Sequence, residues 1–301
     1  MYNGIINIHK EAGFTSHDVV AKMRGILKQK KIGHTGTLDP QATGVLPVCL
    51  GSGTRLCDML TDRSKEYVAE LLLGVTTDTQ DTTGQVLTRQ TVSCGEEQIR
   101  RVAAGFVGAY DQIPPMYSAL KVDGKKLYEL ARAGKEVERK ARRVEIHELE
   151  ILDIRLPVVK MRVVCSKGTY IRTLCADIGE KLGCGGTMQS LVRTRAGVFG
   201  LEDAITLAQL EQLRDEGRVE DVLLAVDAVF AEAPALHVQE AFVRLLDNGN
   251  AIRPEQTVEQ TGYAEGEPVR FYRTDGSFAG IYAYCAQKQR YQPVKMFLER
   301  G

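Results

Sequence analysis

The stretch that most constrains this chain is Gly33-His34-Thr35-Gly36-Thr37-Leu38-Asp39-Pro40-Gln41-Ala42-Thr43-Gly44, which holds three glycines and a proline and no hydrophobic period. Neither helix nor strand tolerates that pattern, so residues 33–44 are expected to form a structured loop between regular elements. Asp39 stands in its middle and directly before Pro40, which biases the Asp39 backbone toward an extended conformation and fixes the angle of its carboxylate. A rigid carboxylate among small residues can approach a reacting centre closely, as a nucleophile must. Asp-Pro is equally a common turn starter, and that pair alone does not separate the two readings.

The flanking residues predict ordinary elements. A short apolar strand opens the chain. After Ser16, the spacing of Val19, Val20, Met23, Ile26 and Leu27 predicts a helix with Asp18 in its first turn, its lysines outward and Gly33 as its stop. Strands are expected over residues 45–50 and 67–73, with a short helix over 52–60 between them and an Asp/Thr-rich turn over 76–84. Ser93 with Glu96 reads as a capping box opening a helix that runs to about residue 106. Pro114-Pro115 breaks the chain, and the basic, turn-rich residues 115–143 read as an insertion leaving the core. Strands over 144–156 and 158–165 follow, then a helix burying Ile171, Leu174, Cys175, Ile178 and Leu182. A second helix is capped by Thr206 and Gln209. From about residue 235, short apolar segments alternate with turns such as Asn248-Gly249 and Asp275-Gly276, the pattern of a small β domain.

Single helices between hairpin-like strands point to an α+β class with a mixed, largely antiparallel central sheet and flanking helices. With 301 residues, two domains are expected at about 150 residues each: 1–235, carrying the insertion at about 115–143, and 236–301.

Composition removes several classes of function. No apolar run is long enough to span a bilayer and the start does not resemble a signal peptide, so a cytoplasmic protein without membrane contact is expected. Seven cysteines with no Cys-x-x-Cys read as reduced thiols, and five histidines without ligand-like spacing give no metal site. Neither G-x-x-x-x-G-K-[ST] nor G-x-G-x-x-G follows a strand, which argues against nucleotide cofactors.

The balance of 39 basic against 39 acidic residues conceals strong local asymmetry. Residues 121–143 carry nine basic side chains against four acidic ones, residues 22–31 five against none, and residues 201–240 ten acids against Arg214 and Arg218. Such a dipolar chain can present a phosphate-binding face, although solvated helix faces account for either basic run taken alone.

Residues 33–47, ending Gly44-Val45-Leu46-Pro47, closely resemble the G-H-x-G-x-L-D-P-x-A-x-G-x-L-P signature of TruB-type tRNA pseudouridine synthases. The same family's pattern is met in order by Lys65-Glu66-Tyr67, by residues 77–84, by Pro114-Pro115-Met116-Tyr117-Ser118-Ala119-Leu120-Lys121 and by Cys165-Ser166-Lys167-Gly168-Thr169-Tyr170-Ile171-Arg172. The resemblance runs from about residue 3 to 232 and is weaker beyond.

It implies a pseudouridine synthase fold in which Asp39 is the catalytic aspartate, Tyr67 stacks on the target base and Arg172 holds the aspartate ionised. Asp81 is a polar contact in the pocket. Leu191 touches the uracil face or is ordinary core, and His34 fills the space left by flipped nucleotides or stabilises its loop. Tyr170 belongs to the same RNA-binding set. In the family, the part matching 115–143 is a thumb-like insertion that closes on the T-stem loop, here offering Lys121, Lys125, Lys126, Arg132 and Arg142. Arg193 and Arg195 are further candidates for phosphate or are simple surface charge.

The C-terminal part corresponds to a small PUA-type β domain, although about sixty residues is short for an RNA-binding barrel and the tail has no Lys/Arg cluster. The implied reaction is isomerisation of uridine 55 of tRNA by base flipping, without cofactor, guide RNA or obligate protein partner. The first step at Asp39 stays open among attack on ribose C1′, attack on uracil C6 and help with deprotonation at C2′. Two rival classes are a tRNA-folding chaperone, in which Asp39 is incidental, and a hydrolase using Asp39 as an ester-forming nucleophile. The hydrolase lacks a second group placed to activate water.

Overall fold

Strand burial follows the residue pattern closely enough to place every face of the central sheet. In the computed structural model, residues 1–298 are described apart from 119, 123 and 136, and residues 121, 126 and 132 are described by backbone alone. The chain runs through β1 (Gly4–Lys10), α1 (Ser16–Leu27), β2 (Ile32–His34), β3 (Thr43–Leu50), α2 (Cys57–Thr61), β4 (Lys65–Leu73), β5 (Val75–Thr77) and β6 (Val86–Arg89). It continues through α3 (Glu96–Ala104), β7 (Gly108–Gln112), β8 (Lys121–Val122), β9 (Lys125–Lys126), α4 (Leu127–Arg132), β10 (Arg142–Arg155), β11 (Val158–Cys165) and α5 (Ile171–Lys181). The remainder is β12 (Gly186–Ala196), β13 (Phe199–Gly200), α6 (Leu207–Asp215), β14 (Ala235–His237), α7 (Val243–Asp247), β15 (Pro268–Tyr272), β16 (Phe278–Cys285) and β17 (Arg290–Met296).

The central sheet has the order β1-β3-β12-β4-β11-β10-β7, with β2 paired to β3 and β13 to β12. β3 and β12 run parallel, and the other neighbours run antiparallel. β4 alternates strictly between buried and half-buried residues, as a strand with one face on a core should. That face packs with β11 and α5 in a core containing Tyr67, Ala69, Met161, Val163, Leu174, Ile178 and Leu191. On the opposite side of the chain's first strands, α1 and α6 cover β1 and β3 through Val19, Met23, Leu46, Val48 and Leu210.

Several sequence expectations are corrected. α1 is capped by Thr15 in a capping box with Asp18, and it ends at Leu27, where Lys28 takes the left-handed conformation (φ 51°). Gly33 is therefore not its stop but part of β2. Ser93 does not cap α3: Gly95 occupies that position, and no side chain caps the helix. Residues 51–56 form a 3-10 turn ahead of the short α2. The strand β12 lay between the predicted elements and was not anticipated.

The insertion between β7 and β10 contains the antiparallel pair β8–β9 and the short α4. The C-terminal sheet, in the order β14-β15-β16-β17, has its own core of Leu236, Val238, Val269, Phe271, Tyr282 and Tyr291. It docks on the first part of the chain through Ile281 and Phe297 against Leu56, Leu60 and Phe230. The Arg55 guanidinium bolts the last strand down by donating to the carbonyls of Met296 and Leu298, both at 2.9 Å. No helix among the described residues is long and apolar enough to cross a membrane.

Candidate active site

The loop between β2 and β3 is tied at nearly every residue, which is how a segment without regular structure is held rigid. The Leu38 amide donates to Ser16 Oγ at 2.9 Å, and the Gly13 amide donates to the Pro40 carbonyl at 2.9 Å. The ammonium of Lys10, a residue with no exposed surface, donates to the carbonyls of Ala42 (2.6 Å), Pro40 (3.0 Å) and Glu11 (3.0 Å). Burial lowers the Lys10 pKa to about 8, with Asp39 pulling the other way. The Leu38 side chain goes into the core with Ala42, Tyr67 and Leu191, leaving the next residue, Asp39, at the edge of that core with 37% of its side chain exposed.

Arg172 arrives from the first turn of α5 and grips Asp39 with two nitrogens, Nε to Oδ2 at 3.0 Å and Nη2 to Oδ1 at 3.2 Å. This is the forked geometry that a guanidinium supplies and an ammonium cannot. The same side chain donates to the carbonyls of Tyr117 (2.8 Å) and Thr79 (3.2 Å) and lies 3.7 Å from Asp81 Oδ2. Burial pushes the Asp39 carboxyl above its ordinary pKa, and Asp81 adds to the rise, while Arg172 and Lys10 oppose it. Partial burial thus strengthens the carboxylate as a base, and the fork keeps it oriented.

Asp81 is itself fixed. Its Oδ1 accepts from the Thr79 hydroxyl (2.8 Å) and from the amide and hydroxyl of Thr83 (3.0 and 2.5 Å). Tyr67 projects from β4 with 9% exposure, and burial raises the pKa of its phenol. Leu191, directly opposite Ala69 on β12, is buried in the same core. The structure therefore brings Asp39, Arg172, Asp81, Tyr67 and Leu191 together from five separate parts of the chain.

His34 lies half-buried beside the loop. Its Nδ1 accepts from the Gly36 amide at 3.3 Å, and its ring meets His17 edge-on at 5.3 Å. Burial lowers its pKa to about 4, reinforced by His17 and Arg193, so the imidazole is neutral near pH 7. Tyr170 caps α5, and both its amide and its carbonyl are held by the side chain of Gln112, at 2.7 and 3.0 Å.

The basic residues of the insertion are spread differently. Lys125 is exposed in β9, and Arg142 is exposed at the first position of β10, in the sheet rather than the insertion proper. Lys121, Lys126 and Arg132 have their backbones in β8, β9 and α4, and the placement of their side chains lies outside the described residues.

Arg193 is a correction. It is 2% exposed, and its guanidinium donates to the carbonyls of Val45 (2.7 Å) and Gly36 (3.2 Å), so it cannot reach a phosphate. The cause is its place on an inward-facing position of β12.

Sequence reading missed Lys10, Ser16 and Gln112. Lys10 was detectable as a charge ending an otherwise apolar strand, whereas Ser16 and Gln112 gave no local signal. Among the described residues, no group of three His, Cys, Asp or Glu is placed to hold a metal ion.

Comparison with known proteins gives the family of the chain. Residues 24–171 match the TruB family pseudouridylate synthase N-terminal domain, and residues 172–231 match the tRNA pseudouridylate synthase B C-terminal domain. The chain is 52% identical over 306 residues to tRNA pseudouridine synthase B of Lachnoclostridium phytofermentans, covering 98% of this chain and 100% of that protein. To the protein of the same name from Bacillus pumilus it is 41% identical, covering 98% of both.

Among solved structures it is similar to a chain of an H/ACA RNP bound to a substrate RNA containing 2′-deoxyuridine. That match has a TM-score of 0.73 and 26% identity over 99% of this chain and 86% of the other. A chain of a Cbf5-Nop10-Gar1 complex matches with a TM-score of 0.73 and 28% identity, over 99% of this chain and 85% of the other. The chain belongs to the TruB family of pseudouridylate synthases, which are isomerases.

Proposed function

We propose that this chain converts uridine to pseudouridine at position 55 in the T-stem loop of tRNA, with Asp39 as the essential carboxylate. The observation that carries the reading is the forked Arg172–Asp39 pair at the rim of a core that also presents Tyr67 and Leu191. In the reaction the N1–C1′ bond breaks, the uracil turns and a C5–C1′ bond forms, while C5 loses a proton and N1 gains one. Reactant and product are isomers, so no cofactor has to supply atoms or electrons. What the site must supply is a positioned carboxylate, a route for a proton and exclusion of water from the detached base.

Asp39 suits the first need, because its carboxylate is held by two guanidinium donors and stays partly exposed on a loop with little freedom. Tyr67 offers a ring on which a pyrimidine can stack and a hydroxyl that can donate or accept a proton. Leu191 supplies an apolar wall. A base within a folded RNA loop must leave its stack to reach Asp39, at a cost of a few kcal/mol that contacts elsewhere must offset. The exposed Lys125, Lys135 and Lys140 of the insertion offer positive charge for phosphates. The curated relatives carry the name tRNA pseudouridine synthase B, which favours free tRNA as substrate, with neither guide RNA nor protein partner.

The test is to incubate the purified chain with an unmodified T-arm stem-loop in buffer containing EDTA and to map pseudouridine by chemical derivatisation. Product at the expected uridine is the outcome predicted for the unaltered chain. Asp39→Asn should abolish product while leaving RNA binding intact. Undiminished product from Asp39→Asn ends the assignment of Asp39, and binding without any product from the unaltered chain favours a chaperone.

A further inference from the structure

Arg193, only 2% exposed, is a buried cation beside the candidate site to which the mechanism above gives no role. It stands directly across from Tyr67 in the antiparallel β4–β12 register, a placement that brings two Cβ atoms to about 5 Å. Two of its nitrogens donate to uncharged oxygens, Nη2 to the carbonyl of Gly36 before Asp39 at 3.2 Å and Nε to the carbonyl of Val45 after it at 2.7 Å, and Tyr67, its neighbour across the strands, is close enough for the guanidinium to act on the phenol. Burying a guanidinium without a carboxylate is expensive, and a purely architectural role at this position could be filled by an apolar pair.

The donor inventory decides what the contact does. A guanidinium has donors and no acceptor, while a phenol has one proton and lone pairs. Toward Arg193 the Tyr67 oxygen can therefore act only as acceptor, and its own proton must point elsewhere. We propose that Arg193 is a positioning residue for the isomerisation: it fixes the Tyr67 hydroxyl as an acceptor on the strand side, so that the phenol proton is offered into the pocket that Asp39 faces. This inference rests on the function proposed above and deepens it. It also explains why one side chain spans both ends of the Asp39 loop and the tyrosine, since the relative placement of carboxylate and phenol is then set by a single rigid group. Arg193 further eases ionisation of the Tyr67 phenol, against the burial that opposes it.

The test is a double-mutant cycle read by single-turnover pseudouridine formation on the T-arm stem-loop, with stem-loop affinity and melting temperature measured on every variant. Arg193→Gln is expected to slow the chemical step at least about tenfold, with affinity changed by less than about twofold. In the Tyr67→Phe background the same substitution should cost less than about twofold more, because the hydroxyl it positions is gone. The alkaline limb of the rate profile, where Tyr67 sets it, should move to higher pH in Arg193→Gln, since a positive charge that favours the phenolate has been removed. Arg193→Lys, which keeps the charge and loses the fork, should keep the limb near its wild-type position, and it replaces Arg193→Gln in the cycle if that protein does not fold. Equal losses in both backgrounds, or weakened RNA binding with an unchanged rate, would overturn the inference while the active wild type keeps the function. A wild-type chain that makes no pseudouridine overturns the function itself and this inference with it.

Discussion

A carboxylate that works as a base beside a buried core is pulled in two directions, and at Asp39 both pulls are visible. Burial and the nearby Asp81 raise its pKa above the ordinary value of 3.8, while Arg172 and Lys10 lower it. In the reaction proposed above the ionised form is the reactive one, so activity should be present above the Asp39 pKa and lost as the pH falls through it. The acid limb of the single-turnover rate should accordingly lie above 3.8. Arg172→Gln removes the larger opposing charge, so the limb should move further up in pH as the maximal rate drops. A limb that stays in place or moves down would show that Arg172 does not act on this carboxylate.

His34, with its pKa near 4, is neutral above about pH 5. Residue by residue, the sequence was most informative at Asp39, where a glycine-punctuated loop and a following proline mark a rigid side chain before any fold is known. Tyr67 and Arg172 were reached by resemblance, because nothing in a lone tyrosine or arginine announces its partner. Arg193 was misjudged because its strand was not foreseen, and without a strand its inward parity cannot be read.

At the scale of elements, the loop is positioned by the strands and helix it joins. Gly44 sits at φ +103° where β3 meets β12 in parallel register, and a Cβ there would lie 2.2 Å from the Arg193 carbonyl oxygen. Both the backbone conformation and the space exclude a side chain, so Gly44→Ala should cost more than about 3 kcal/mol in a denaturant titration. A milder fault is expected from Ser16→Ala. That change leaves the buried Leu38 amide without its 2.9 Å partner and should cost about 1–3 kcal/mol. Because Leu38 immediately precedes Asp39, it should also slow the reaction, as stopped assays on the stem-loop would reveal.

Elements with a strong period were legible: α1, α5, β4 and β11 all bury the residues their spacing selects. Signals carried by one or two residues were less secure. Ser93 and Glu96 have the spacing of a capping box, yet α3 begins after Gly95, whereas Thr206 and Gln209 do form the box their spacing announces and Thr15 with Asp18 form another. Several polar residues offer plausible caps near each helix start, and tertiary packing chooses among them. β12 escaped notice because Arg193 and Thr187 are buried polar residues that interrupt its apolar alternation.

The whole molecule explains how a chain of zero net charge can serve a polyanionic substrate. The two basic runs are equal in sequence but not in space. Residues 22–27 lie on α1, which packs against α6, and residues 28–31 follow it; Lys22 and Lys28 share one cleft with Glu11, Glu211 and Arg214. Lys22 is further occupied over the Phe14 ring at 4.8 Å.

The insertion between β7 and β10 is joined to the active site instead, through the Arg172 bond to the Tyr117 carbonyl and the Gln112 clamp on Tyr170. Its lysines 125, 135 and 140 are exposed. Replacing these three with glutamine should weaken stem-loop binding and flatten the plot of log affinity against log salt by about 2 to 3, since each phosphate contact contributes about 0.7–0.9. Replacing Lys22 and Lys28 should leave that slope within about 0.5 of wild type, because only charges that meet phosphates release counterions and the RNA is expected against the insertion. Fluorescence anisotropy across a salt series separates the two sets. An equal flattening from both would mean that the RNA also lies across α1 and α6, and that the insertion does not by itself decide which basic run meets the substrate.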